Sequence, residues 1–274
     1  IVFCADNGVV AEDVSSSPPI FTQMLANAMA RGETGVAALS HWANSALYIV
    51  DIGMNQDVVR EPNIIDGSLR PGTGNIAEEA AMSRDEAVKA IERGMDMAKA
   101  AIKNGARMVG TGELGIGNTT TSAALLSALT GESADDCVGY GAGITEAQLV
   151  KKVAVVKRAV ARAGAGDVIH KIAQVGGLDL AGLVGVFLAC AEEKVAAVVD
   201  GFVTGVAALA AIQLAPDAKD FIFLSHKSGE KASVLVNTHL GMKPPLDLSM
   251  RLGEGSGCPL FFQLMDGAID AMEN

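Results

Sequence analysis

The sequence predicts a doubly wound α/β fold, with helices on both faces of a parallel β-sheet. Three observations predict it. Short runs rich in Val and Ile, apolar on both faces, recur along the 274 residues, as expected of strands buried on both sides. Longer helix-like segments alternate with these runs, the order that builds βαβ units. Turn residues stand where each strand should end: Asp6-Asn7-Gly8, Asp51-Ile52-Gly53, Gly110, Asp200-Gly201 and Ser225 to Gly229. Ligands of open parallel sheets bind beyond the carboxyl ends of the strands, so these turns are expected to converge on one crevice.

Strands are expected at 1–5, 46–52, 106–109, 195–199 and 221–224. A helix is expected at 83–103, where Ser83-Arg-Asp-Glu86 has the spacing of a capping box. A second, at 122–129, follows the Gly-rich stretch after the third strand. A third, at 145–163, opens on Thr145 and stops near Gly164. The segments 181–193 and 202–213 are mostly apolar and read as buried helices. A last helix is expected at 258–272.

Composition bounds the function. The formal charge is −11, which argues against non-specific binding to nucleic acid, since that needs a basic face to displace counterions. Half of the residues are hydrophobic but only 4% are aromatic, so Ala, Val, Leu and Gly must carry a closely packed core. Cys4, Cys137, Cys190 and Cys258 are far apart and form no Cys-x-x-Cys pair, so they read as buried free thiols, not as a zinc or redox site. The longest uncharged apolar stretch, 201–216, includes polar positions and falls short of the roughly 18 residues of a membrane span. No secretory leader is visible at the start. A cytoplasmic location is expected. Because residue 1 already reads as strand, the natural chain is expected to continue upstream.

The most informative stretch is Gly110-Thr-Gly-Glu-Leu-Gly-Ile-Gly-Asn-Thr-Thr-Thr121. A Gly-rich turn between strand and helix presents backbone N–H groups to a phosphate. Gly110-x-Gly112-x-x-Gly115 matches the dinucleotide pattern in form, which keeps an NAD-dependent enzyme as an alternative, but Glu113 inside the turn would repel a pyrophosphate. Gly112 and Gly117 bracket four residues as in an ATP-binding P-loop, yet Asn118 stands where the phosphate-binding Lys belongs. A monophosphate at Gly115 to Thr120 avoids both conflicts. The bland alternative is a tight turn whose glycines only allow close packing. Glu254, in Leu252-Gly-Glu-Gly-Ser-Gly257, is a second Gly-flanked carboxylate. Flanking glycines let a ligand approach closely, whereas a helix following it would merely stabilise its charge. Ser225-His226-Lys-Ser228-Gly229 adds hydroxyls, a cation and free N–H groups. No metal-ligand spacing appears among the histidines.

These motifs, in this order, resemble the nicotinate-nucleotide–dimethylbenzimidazole phosphoribosyltransferase family. The matching segments are Phe3-Cys-Ala-Asp-Asn-Gly-Val9, Val50-Asp-Ile-Gly53, Gly72-Thr-Gly-Asn75 with Ala80-Ala-Met82, and Gly110 to Thr120. Gly139-Tyr-Gly-Ala-Gly143, Val175-Gly-Gly177, Asp200-Gly-Phe202, Ser225-His226 with Ser228, and Leu252 to Gly257 complete the series.

The resemblance implies a Rossmann-like large domain at 1–250 and a C-terminal helical part at 251–274. That part would join a smaller helical domain whose N-terminal helices are absent from this sequence. It implies transfer of phosphoribose from nicotinate mononucleotide to an aromatic lower-ligand base, with no cofactor and no metal, by a dimer. Glu254 resembles the family's general base and Glu113 its second carboxylate. Gly115, Gly117, Asn118, Thr119, Lys152, Ser228 and Gly229 would hold the phosphoribosyl part. Asn7, Ser17, Gln23, Leu252 and Gly253 would face the acceptor. Two departures stand on that acceptor side. Family members usually carry Asp-His-Gly where this chain has Asp6-Asn7-Gly8, and a Tyr-Pro-Gln pattern where it has Ser15-Ser-Ser-Pro-Pro19. They imply altered or broadened acceptor choice. Accordingly, one subunit of a heterodimeric branch that activates phenols is a further expectation, and a non-catalytic partner subunit another.

Overall fold

The computed structural model describes residues 1–55 and 57–273. Strands β1 (Val2–Ala5), β2 (Ile49–Gly53), β3 (Ile65–Asp66), β4 (Met108–Gly110), β5 (Gly112–Leu114), β6 (Ala196–Val199) and β7 (Ile222–Leu224) are all parallel to their neighbours. They form two sheets, β3-β2-β1-β5 and β4-β6-β7. Only Thr111 separates β4 from β5. Its N–H donates to Val198 O at 3.0 Å, while the next N–H, of Gly112, donates to Ile1 O at 2.9 Å. The extended chain thus changes partners at one residue. Counted as one kinked strand, β4 and β5 give the strand order 3-2-1-4-5-6 of a dinucleotide-fold sheet, whose direction reverses between β1 and β5.

The helices are α1 (Phe21–Ala30), α2 (Gly35–Trp42), α3 (Arg84–Lys103), α4 (Asn118–Thr130), α5 (Ala134–Cys137), α6 (Glu146–Ala163), α7 (Val168–Val175), α8 (Leu178–Glu192), α9 (Phe202–Leu214), α10 (Ser233–Leu240) and α11 (Gly257–Glu273). Period-two alternation divides the core. Phe3, Ala5, Val50 and Ile52 face the main cluster with α8, whereas Val2, Cys4 and Ile49 pack with Ala26, Met29 and Val36 on the other side. A third cluster seats Cys258 and Phe261 of α11 against Val198 of β6. Helices α3 and α8 meet at glycines. A Cβ on Gly94 would lie 1.8 Å from Gly182 O, and one on Gly185 would lie 1.9 Å from Ile91 O.

The sequence expectations meet the structure closely where the signal is local. Ser83 and Thr145 both close capping boxes at the expected helix starts. All four cysteines are buried and free. Among the described residues no helix is long and apolar enough to cross a membrane. Three element starts differ by three residues or more. The second strand starts at Ile49, three residues later than expected, because the preceding stretch runs as irregular chain. Helix α4 starts at Asn118 and α8 at Leu178, earlier than expected, since the first turn of α4 is polar but buried and that of α8 follows Gly176-Gly177 and holds the buried Asp179. Strand β5 was not expected at all. Its Gly112-Glu-Leu looks like turn in sequence, yet it pairs with β1 at Val2↔Gly112 to Cys4↔Leu114.

Candidate active site

The carboxyl ends of β5, β6 and β7 open onto one cleft of about 580 Å³. Glu113, Gly115, Asn118 and Thr119 line one wall, Ser228, Gly229 and Glu230 another, and Leu252, Gly253 and Glu254 a third. The cleft lies beside the point where strand order reverses, the expected place for a ligand. Its location explains the dinucleotide-like glycines differently. Gly110 and Gly112 sit inside strands and allow close approach of the 253–262 segment. A Cβ on Gly112 would lie 2.4 Å from Glu254 O, and one on Gly110 would lie 2.6 Å from Cys258 Cβ. The true strand-to-helix turn is short, Gly115 to Gly117.

Glu113 is the middle residue of β5, and its carboxyl accepts from Asn118 Nδ2. The same Nδ2 donates to Asp179 Oδ2 at 3.1 Å. Asp179 is completely buried in the first turn of α8 and also accepts the Leu180 N–H at 2.9 Å. Burial pushes its pKa up to about 6 against those hydrogen bonds. Burial, joined by the charge of Asp179, holds Glu113 well above the usual carboxylate range, and the Asn118 hydrogen bond opposes this. Beneath this group, Thr121 Oγ1 donates to Asn7 Oδ1 at 3.4 Å, and Thr22 Oγ1 of α1 accepts the Ile116 N–H at 3.1 Å. The turn is therefore gripped from β1 and α1 together.

Glu254 lies in a left-handed backbone with φ of 61°, between Gly253 and Gly255 at 79° and 87°. Its carboxyl is buried beside the first turn of α2. Burial raises its pKa, while the Val36 N–H and the Thr34 side chain oppose. The helix end beside Glu254 is thus that of α2, not the following helix α11. Oε2 is buried and has no hydrogen-bond partner. The loop is tied down by Asp200, whose Oδ1 accepts the Gly257 N–H at 2.7 Å and Oδ2 the Gly255 N–H at 3.1 Å. Burial first, with Glu254 adding to it and the two N–H groups opposing, brings Asp200 up to about 7.

Lys152 of α6 does not line the cleft. It is 1% exposed, and its Nζ donates to Thr119 Oγ1 at 2.8 Å and Gly139 O at 3.2 Å. Burial lowers its pKa to about 8, and Glu230 opposes. It reaches a ligand only through Thr119. Glu230 Oε2 accepts the Gly141 N–H at 3.1 Å. The Gly229 N–H is already given to Met250 O at 2.8 Å, so Gly229 offers space rather than a donor.

Four other expected residues fall outside the cleft. Gly117 is the left-handed N-cap of α4, where a Cβ would lie 2.7 Å from Val10 Cγ2. Asn7 borders a neighbouring cavity of about 420 Å³ with Asp6 and Gly8. Ser17 closes a small turn with Ser15, whose Oγ accepts its N–H at 3.2 Å. Gln23 is buried, and its Oε1 accepts the Val58 N–H at 2.8 Å. Sequence reasoning missed Asp179 as a site residue and read Asp200 only as turn. A lone acid in the first turn of an all-apolar helix was the available signal for Asp179.

A protein-family profile described as Phosphoribosyltransferase matches residues 1–274. The nicotinate-nucleotide–dimethylbenzimidazole phosphoribosyltransferase of Acetivibrio thermocellus is 42% identical over 276 residues, covering 100% of this chain and 78% of the relative. That of Halalkalibacterium halodurans is 43% identical over 271 residues, covering 98% and 76%. A crystal structure of CobT from Thermus thermophilus superposes with a TM-score of 0.95 at 37% identity, covering 97% of this chain and 80% of the other. The cleft stands in the fold these proteins share, and the chain belongs to the nicotinate-nucleotide–dimethylbenzimidazole phosphoribosyltransferase family.

Proposed function

We propose that this chain transfers phosphoribose from nicotinate mononucleotide to a benzimidazole-type base, with Glu254 as general base. The observation that carries the proposal is one cleft in which Glu254, with an unpartnered carboxylate oxygen, and Glu113 border a phosphate-sized turn. The kinship with proteins named for this reaction supports it.

The chemistry follows from the groups present. Nicotinate mononucleotide carries a cationic pyridinium at ribose C1′, so nicotinate leaves with the bonding electron pair and needs no acid. The neutral ring nitrogen of the acceptor attacks C1′ from the opposite face, which inverts that carbon and yields the α-linkage. As the new bond forms, the ring's other N–H becomes acidic and passes its proton to Glu254. Such a base contributes about 10²–10⁴-fold. Gly253, which lines the cleft beside Glu254, leaves room for a flat ring. The turn Gly115 to Thr119, at the N-terminus of the 13-residue α4, holds the phosphate with Ser228, and Lys152 supports it from behind Thr119. Glu113, fixed by Asn118, faces the ribose. Two exposed apolar side chains of α1, Phe21 and Met24, suit a dimer contact, and four buried free thiols suit the reducing cytoplasm.

The test is incubation with nicotinate mononucleotide and a panel of benzimidazoles and phenols, with products read by mass. An α-linked benzimidazole ribotide and free nicotinate are expected. Glu254→Gln keeps size and an oxygen but cannot take the proton, so kcat should fall about 10²-fold or more while KM for the nucleotide changes little. No product with any benzimidazole overturns the function, and a near-normal kcat in Glu254→Gln overturns the base.

A further inference from the structure

We infer that Asp200 is the positioning residue that aims Glu254, clamping its loop from the end of β6. The inference rests on the reading of Glu254 as the base. Three consecutive residues, Gly253, Glu254 and Gly255, have φ of 79°, 61° and 87°. A non-glycine residue does not hold such a conformation unaided. Left-handed backbone turns successive N–H groups toward one side, where an anion can bind them. Here the anion is internal. Both oxygens of Asp200 are used on this loop, at 2.7 Å to Gly257 N and 3.1 Å to Gly255 N.

The clamp is itself immobile. Asp200 is 2% exposed. Its N–H donates to Thr204 Oγ1 at 2.9 Å and its carbonyl accepts from Ser225 Oγ at 3.1 Å. Ser225 Oγ is also 2.9 Å from His226 Nδ1. On the opposite side β5 blocks retreat, since a Cβ on Gly255 would lie 3.0 Å from Gly112 Cα. The Glu254 backbone is therefore held between β5 and the buried Asp200 carboxyl. A shift of about 1 Å in a catalytic group can cost about 10²-fold in rate, so the clamp matters to chemistry more than to binding of the nucleotide.

The experiment is a double-mutant cycle of Asp200→Asn and Glu254→Gln, with kcat and KM measured for nicotinate mononucleotide and a benzimidazole. The Asn amide can accept only one of the two N–H groups. Asp200→Asn should lower kcat at least about ten-fold with KM for the nucleotide nearly unchanged, and should add nothing in the Glu254→Gln background. Equal losses in both backgrounds, or a loss confined to KM, overturn the inference while leaving the base intact. A near-normal kcat in Glu254→Gln alone overturns the base reading first. Gly255→Ala disturbs the same loop with the Asp200 side chain left in place and must show the same kcat loss and the same absence of effect in Glu254→Gln. Its failure to do so overturns the inference even where Asp200→Asn does not fold.

Discussion

Removing the buried lysine should stabilise the protein at neutral pH and destabilise it at alkaline pH. Lys152 is 1% exposed and its pKa is lowered from 10.5 to about 8. At pH 7 the folded state must hold a charge that burial disfavours, at a cost of about 3 kcal/mol. The folded protein releases this proton before the unfolded chain does. Wild-type stability therefore rises as pH climbs from about 8 to 10.5. At pH 10 the remaining cost is about 1 kcal/mol. Lys152→Met keeps the length of the side chain and removes the charge. It also removes the donors to Thr119 Oγ1 and Gly139 O, worth about 2 kcal/mol together. The balance is about +1 kcal/mol at pH 7 and about −1 kcal/mol at pH 10. For a chain of this size that is a Tm change of about 2 °C in each direction. Thermal unfolding of both proteins, followed by circular dichroism at the two pH values, checks it. A variant less stable than wild type by the same amount at both pH values would refute the reasoning, since the charge would then carry no burial cost.

Function should move the other way. Lys152→Met at pH 7 should raise KM for nicotinate mononucleotide several-fold without weakening binding of the free base, by isothermal titration. Equal losses for both ligands would remove Lys152 from the phosphate end. Because burial raises the Glu254 pKa, kcat should climb with pH through a range above the ordinary carboxylate value of about 4.3, as the carboxyl loses its proton. Glu254→Gln should erase that limb, and its persistence would assign the limb to another group. Gly185→Ala would place a Cβ 1.9 Å from Ile91 O of the facing helix. Neither backbone can yield, so a loss of about 3 kcal/mol is expected, read as a lower urea midpoint, and an unchanged midpoint would show that α3 and α8 can separate freely.

Much of this protein was legible before its structure. Strand runs, the capping boxes of Ser83 and Thr145, and the apolar helices α8 and α9 depend on neighbours a few residues away, and their signals are local. The two Gly-flanked carboxylates were legible as candidates for the same reason, since glycine beside an acid marks backbone that something must approach. What the sequence left open depends on distant partners. The partner switch at Thr111 joins residues 87 apart, and the Asp200 clamp reaches across 55 and 57. Gly110-x-Gly112-x-x-Gly115 looked like a phosphate turn because sequence cannot distinguish a glycine that admits a ligand from one that admits Glu254 and Cys258 of the same chain. The family resemblance alone offered Lys152 for the phosphoribosyl part, and nothing local states that α6 buries its charge behind Thr119. Alternation and caps set the elements; only the packed fold decided which glycine meets backbone, which lysine loses water and which acid is buried, because contact and desolvation arise between segments that tertiary structure alone brings together.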